Sequence, residues 1–186
     1  MSFSVGVHTP NAKLPLRHKL CPNEVERRGA GKNLDDALAE ESVTAMICEW
    51  INDALATTRI LARPLSSDEV GRVTGLIAGR YTDPIHSGRR LWEAFHGDIA
   101  RRRSDGWSLI CDYPEPSPIL LFHDEGEFRG YEFSSPEDLR AVLAETAGFE
   151  FYVTNERAEF VLCHNHHDFL VGVGECRQWL GTVEEG

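Results

Sequence analysis

The chain has 186 residues, 41% of them hydrophobic and 26% charged, with a net charge of −11. That length and composition suit a globular protein with one sizeable core. No run of 18 apolar residues is present, and the N-terminal MSFSVGVHTPNAK lacks the cationic and apolar regions of a leader, so a cytoplasmic protein with no membrane association is expected.

The charge is unevenly spread. Residues 1–103 hold 15 Lys+Arg against 13 Asp+Glu, whereas residues 104–186 hold 4 against 17, a balance of −13. So acidic a half repels phosphate backbones and argues against nucleic acid, while it favours a basic partner or simply a solvated surface. Five cysteines, at 21, 48, 111, 163 and 176, are widely spaced with no CxxC pair, which points to reduced thiols and no cysteine-built zinc site.

Residues 1–33 carry Pro10, Pro15 and Pro22 with scattered basic residues and no apolar period, and read as an arm or irregular segment. Residues 34–104 read as a helical region. Ile47, Trp50, Ile51, Ala54 and Leu55, preceded by Val43 and Met46, form one stripe of a helix that begins near Asp35 and ends before Pro64. Ser66 with Glu69 has capping-box spacing ahead of a second helix, whose buried face is Val70, Val73 and Ile77. Its Gly71, Gly75 and Gly79 recur every fourth residue and predict a closely packed neighbouring backbone. Asp83 and Pro84 open a third helix with Leu91, Phe95 and Ile99 buried, ending in Arg101, Arg102 and Arg103, which offset the negative end of its dipole.

From Asp105 the pattern turns to strands: 107–111, 119–123 and, after a hairpin turn at Asp124-Glu125-Gly126, 128–133. Ser135 and Pro136 start a helix that Gly148 closes as its C′ residue. Three more runs follow, 149–153, 159–163 and 169–173, expected to form an antiparallel meander, and a short helix spans 175–180. The fold class is therefore α+β: about three N-terminal helices layered on a mainly antiparallel sheet of five or six strands, with one helix between two hairpin groups. Residues 34–186 should form one compact domain, of which 105–186 is the sheet region.

The segment Cys163-His164-Asn165-His166-His167-Asp168 offers the clearest candidate chemistry. On a strand, His164, His166 and Asp168 share a face and could hold zinc or iron in a metal-dependent hydrolase or a small-ligand-binding enzyme. At a hairpin tip the same residues are turn formers, because Asn and Asp accept left-handed backbone geometry. No GxSxG surrounds a serine, and Gly172-Val173-Gly174 lacks the third glycine of a dinucleotide loop. A close backbone approach explains both glycines.

The stretches LLF, YEFSSPEDLRAVL, FEFYVTN, VLCHNHHDFLVGVG and the terminal WL resemble a group of small, largely uncharacterised bacterial proteins that share an FYVT…LxCxNHHD…GxG ending. That group is similar to the immunity proteins of bacterial toxin systems. The resemblance covers less than half of the chain and implies an α+β binding protein with no catalytic residues and no cofactor, whose partner is a cognate toxin; the acidic half would suit a basic one. On this reading Asp124, Glu125 and Glu132 supply acidic contacts, and Tyr131 and Trp179 supply aromatic anchors. A homo-oligomer formed through the glycine-striped helix or a sheet edge is a further possibility.

Overall fold

The computed structural model describes residues 47–83 and 90–186, which belong to one compact unit, Ser42–Gly186. The expected arm at 1–33, the start of the first helix and Pro84 lie outside the described residues. In chain order the elements are α1 (Ile47–Thr58), β1 (Arg63–Pro64), α2 (Ser67–Tyr81), a 3-10 turn (Leu91–Ala94) and β2 (Ile99–Arg102). Then come α3 (Gly106–Leu109) running into a second 3-10 turn (Ile110–Asp112), β3 (Ile119–Asp124), β4 (Glu127–Glu132) and α4 (Pro136–Glu145). The chain finishes with β5 (Phe151–Thr154), β6 (Phe160–His164), β7 (Phe169–Gly174) and α5 (Arg177–Thr182).

The described residues form an α+β fold with one seven-stranded sheet of order β1-β4-β3-β5-β6-β7-β2, every neighbouring pair antiparallel. β3 and β4 make a tight hairpin because Glu125 and Gly126 both take positive φ, 49° and 84°, the geometry whose twist matches that of the flanking strands. The meander β5-β6-β7 follows the expected order, and α4 lies in sequence between the two hairpin groups.

Both faces of the sheet are covered, which explains why its central strands are apolar runs rather than alternating ones. Side chains of successive strand residues point to opposite faces. Leu120 and Phe122 of β3 therefore join Ile51, Ala54, Leu139, Val142 and Leu180 on the face packed by α1, α4 and α5. Ile119 and Leu121 join Val70, Val73 and Ile77 of α2 on the other. The expected single N-terminal helical layer is thus corrected: α1 and α2 lie on opposite faces.

Two further assignments change type. Ile99 to Arg102 is a strand, not the end of a third helix. Gly97, at φ +67, reverses the chain after the 3-10 turn, and the segment then pairs with β7 through Ile99↔Gly172 and Arg102↔Phe169. Ladder bonds to an otherwise open strand outweigh the local 3.6-residue period. Conversely, residues 107–111 are helical rather than extended: Gly106, Ile110 and Cys111 are buried together, a spacing that only a helical turn brings to one side.

The N-terminal helix signals of α2 and α4 match the structure. The Ser66 side chain accepts from Glu69 N while the Glu69 carboxylate accepts from Ser66 N at 2.8 Å, a complete capping box. Hydrogen bonding from Ser66 N, and then from Arg63, holds the Glu69 carboxyl down at about 2. Ser135 caps α4 through Asp138 N at 3.1 Å, with Pro136 at its first position. Gly148 is not the C′ residue, because α4 ends earlier at Thr146, whose hydroxyl donates to Leu143 O at 2.9 Å.

The glycine stripe of α2 does not meet another backbone. A Cβ built at Gly71, Gly75 or Gly79 has nothing within 4 Å, and all three residues are exposed. Their cost is then purely conformational, so Gly75→Ala should stabilise the protein by up to about 1 kcal/mol. Urea unfolding followed by circular dichroism measures this; a lower midpoint would mean that the open face of α2 is covered by something else.

Candidate partner-binding site

At the β6–β7 tip, the two sequence readings of the histidine cluster separate. Asn165 builds the turn: its Oδ1 accepts from His167 N and Phe169 N, both at 3.0 Å, and its backbone N–H donates to Phe169 O. Asp168 sits at φ 60°, the left-handed geometry expected of a turn aspartate. His164 is the last residue of β6 and is buried against Gly106, with Nε2 3.3 Å from Arg103 O.

His166 lies in a different setting. Its Nδ1 is 3.1 Å from Glu150 Oε2, Arg90 Nη1 lies 2.9 Å from its Nε2, and the Trp92 ring packs edge-on to it. Glu150 is the hub here, accepting also from Trp92 Nε1 at 3.0 Å and Tyr152 OH at 3.1 Å. His164, His166 and Asp168 therefore do not converge. Among the described residues no three His, Cys, Asp or Glu side chains are placed to hold a metal ion.

Burial pushes the His164 imidazole below its ordinary value of 6.5, against smaller opposing effects from the Arg103 carbonyl, Asp168 and Asp105. Since the folded state resists protonation more than the unfolded chain, the unfolded chain takes up the extra proton as pH falls through 6.5. Stability is full above that value and declines on acidification until the folded imidazole also titrates. His164→Asn should flatten this part of the stability–pH curve, as measured by urea midpoints across the acid range. An unchanged slope would assign the acid sensitivity to other groups.

The residues expected to bind a partner are placed unevenly. Tyr131 is 8% exposed, stacks on Phe122 and donates its hydroxyl to Asn52 Oδ1 at 3.0 Å, so its ring belongs to the core. Asp124 is 7% exposed, and its two carboxylate oxygens accept from Ile47 N and Cys48 N of α1. Glu125 is exposed at the β3–β4 tip, and Trp179 is half-buried with its ring 5.5 Å from Tyr113. Glu132 lines a cleft.

That cleft, about 360 Å³, opens at the sheet end where β4 stops, β3 starts and β5 turns into β6. Glu115, Glu132, Glu156 and Glu159 surround it with Ser117, Asn155 and Arg157, four carboxylates to one guanidinium. The β5–β6 turn forms because Asn155 Oδ1 accepts from Arg157 N and Glu159 N, both at 3.2 Å, and Ala158 takes φ 49°. Asn155 Nδ2 then ties Glu115 Oε2 (3.1 Å) to Glu159 Oε2 (2.9 Å). Across the turn, α2 holds the backbone: Arg72 Nη1 donates to Glu156 O at 3.2 Å, Arg80 Nη1 to the carbonyls of Arg157 and Ala158, and Tyr81 OH to Glu159 O at 2.7 Å.

Not all of this charge is free. Glu132 pairs with Arg63 at 2.6 Å and Glu159 with Arg157 at 3.8 Å, whereas neither the half-buried Glu115, which also accepts from Ser117 N at 3.2 Å, nor the exposed Glu156 has a cationic partner among the described residues. The arrangement presents a rigid acidic concavity suited to a guanidinium or ammonium group. Sequence reasoning named Glu132 and missed Glu115, Asn155, Glu156 and Glu159. The NER turn after FYVT was visible, but not which other acids the strand register would bring beside it.

No helix among the described residues is long and apolar enough to cross a membrane. Comparison with protein-family models, with curated proteins and with solved structures finds no match.

Proposed function

We propose that this is a non-catalytic bacterial binding protein of the immunity or antitoxin kind, working in the cytoplasm, which neutralises a basic partner protein by covering part of its surface. The observation that carries the reading is the acidic cleft at the β5–β6 turn, set in a half of the chain with a balance of −13. Charge of this density attracts a basic surface over about 10 Å at moderate salt and speeds encounter, while a held backbone limits the entropy lost on docking. No cofactor is needed for such a role, and the same charge disfavours nucleic acid.

The test is co-purification of the tagged protein from its own cell extract at low salt, followed by association kinetics with the captured protein. A basic partner should bind with an on-rate that falls steeply as salt rises. Charge reversal at the exposed Glu156 should slow association several-fold and leave the unfolding midpoint unchanged. Absence of a partner, or binding indifferent to both salt and charge reversal, would overturn the proposal.

A further inference from the structure

One lateral edge of the sheet, strand β2, is basic. β2 pairs on one side with β7, and Arg103 N donates to Asp168 O at 2.7 Å, so alternation turns the backbone groups of Ala100 and Arg102 outward. Outward strand groups are a template for another extended segment. Here two of them are met from within the chain. Arg101 Nη1 donates to Ala100 O at 3.0 Å, and Gly186 N donates to Arg102 O at 3.3 Å.

The segment 183–186, Val-Glu-Glu-Gly, is held mainly through its own main chain. Arg101 Nε donates to Val183 O at 3.1 Å and Arg103 Nη1 to Glu184 O at 2.9 Å. Arg103 is aimed by Asp105, whose two carboxylate oxygens each accept from it at 2.7 Å. Contacts to carbonyls do not depend on which side chains the bound segment carries. The surrounding charge does discriminate, because three consecutive arginines favour acidic residues, as Glu184 and Glu185 are.

We propose that the β2 edge, with Arg101, Arg102 and Arg103, is a docking site for an extended acidic segment of a partner protein, and that residues 183–186 are its intramolecular competitor. The partner segment adds as an eighth strand, its carbonyls taking the arginine donors and its amides the outward carbonyls of β2. A second copy of this chain is the poorer occupant, since pairing two β2 edges sets one arginine triplet against the other. The site is separate from the acidic cleft and does not depend on it.

The experiment uses the full chain carrying Glu184→Lys and Glu185→Lys, which repels the segment from the arginines. The probe is a synthetic peptide of about ten residues alternating Glu and Val, titrated while backbone amide signals are followed by NMR. The signals of residues 99–103 should shift, with affinity at least ~10-fold higher in the variant than in the natural chain, because the competitor has been weakened. A peptide with Lys in place of Glu should produce no shift, and adding Arg102→Glu should abolish binding while leaving the unfolding midpoint unchanged. If the charge reversal leaves the segment seated, the chain shortened after Val183 replaces it. Equal affinity in natural and released forms, or no binding by either released form, overturns the proposal. So does concentration-dependent dimerisation of the released chain, which would assign the edge to a second copy.

Discussion

Gly174→Ala is expected to lower stability by about 3–5 kcal/mol, enough to leave the domain marginal at room temperature. Gly174 has φ +77, a region that L side chains rarely adopt, at the point where β7 hands over to the turn before α5. A Cβ there would stand 2.3 Å from Glu159 O, 2.5 Å from Tyr81 Oη and 3.0 Å from Phe160 Cα. Two of these neighbours are backbone and cannot rotate away. The carbonyl is also the shared acceptor of Tyr81 OH at 2.7 Å and Glu175 N at 3.1 Å, so moving it breaks the clamp that holds the β5–β6 turn. Thermal and urea unfolding of the variant measure the loss; a change below about 1 kcal/mol would mean that the turn shifts freely. If the cleft binds a basic partner as proposed, the same variant should weaken that binding, since Glu159 lines the cleft.

Phe122→Ala should cost about 3–5 kcal/mol. Phe122 is fully buried on β3, between β4 and β5, where its ring stacks on Tyr131 with centroids 6.2 Å apart and meets Phe149 edge-on at 5.9 Å. α1 and α4 pack over this face through Ile51, Ala54, Leu139 and Val142, and ordered backbone on both sides limits collapse into the vacated space. Phe122→Leu, which keeps most of the volume, should cost no more than about 1.5 kcal/mol. A difference between the two variants smaller than about 1 kcal/mol in urea midpoints would show that the helices can settle onto the sheet.

The acidic cleft and the basic β2 edge lie at different places on one sheet and carry opposite charge. Their placement follows from strand order rather than composition. The cleft forms where Ile119 aligns with both Glu132 and Thr154, which gathers the ends of β3, β4 and β5 and the loop bearing Glu115. The basic edge forms because β2, although it precedes β3 to β7 in the chain, takes the last position beside β7.

Features that short stretches decide are legible in the residues alone. Ser66 with Glu69, Ser135 with Pro136, and the Asp124-Glu125-Gly126 turn each complete their geometry within a few residues, so no distant contact is needed. The apolar runs of β3, β5, β6 and β7 were equally legible, and so was the turn chemistry of Asn165 and Asp168. Long-range packing sets α1 and α2 on opposite faces, makes Ile99–Arg102 a strand and Gly106–Leu109 a helix, and turns Tyr131 and Asp124 inward. In each case a short apolar or charged stretch suits two conformations almost equally well. The choice falls to whichever buries its apolar side and pairs its backbone against a partner many residues away.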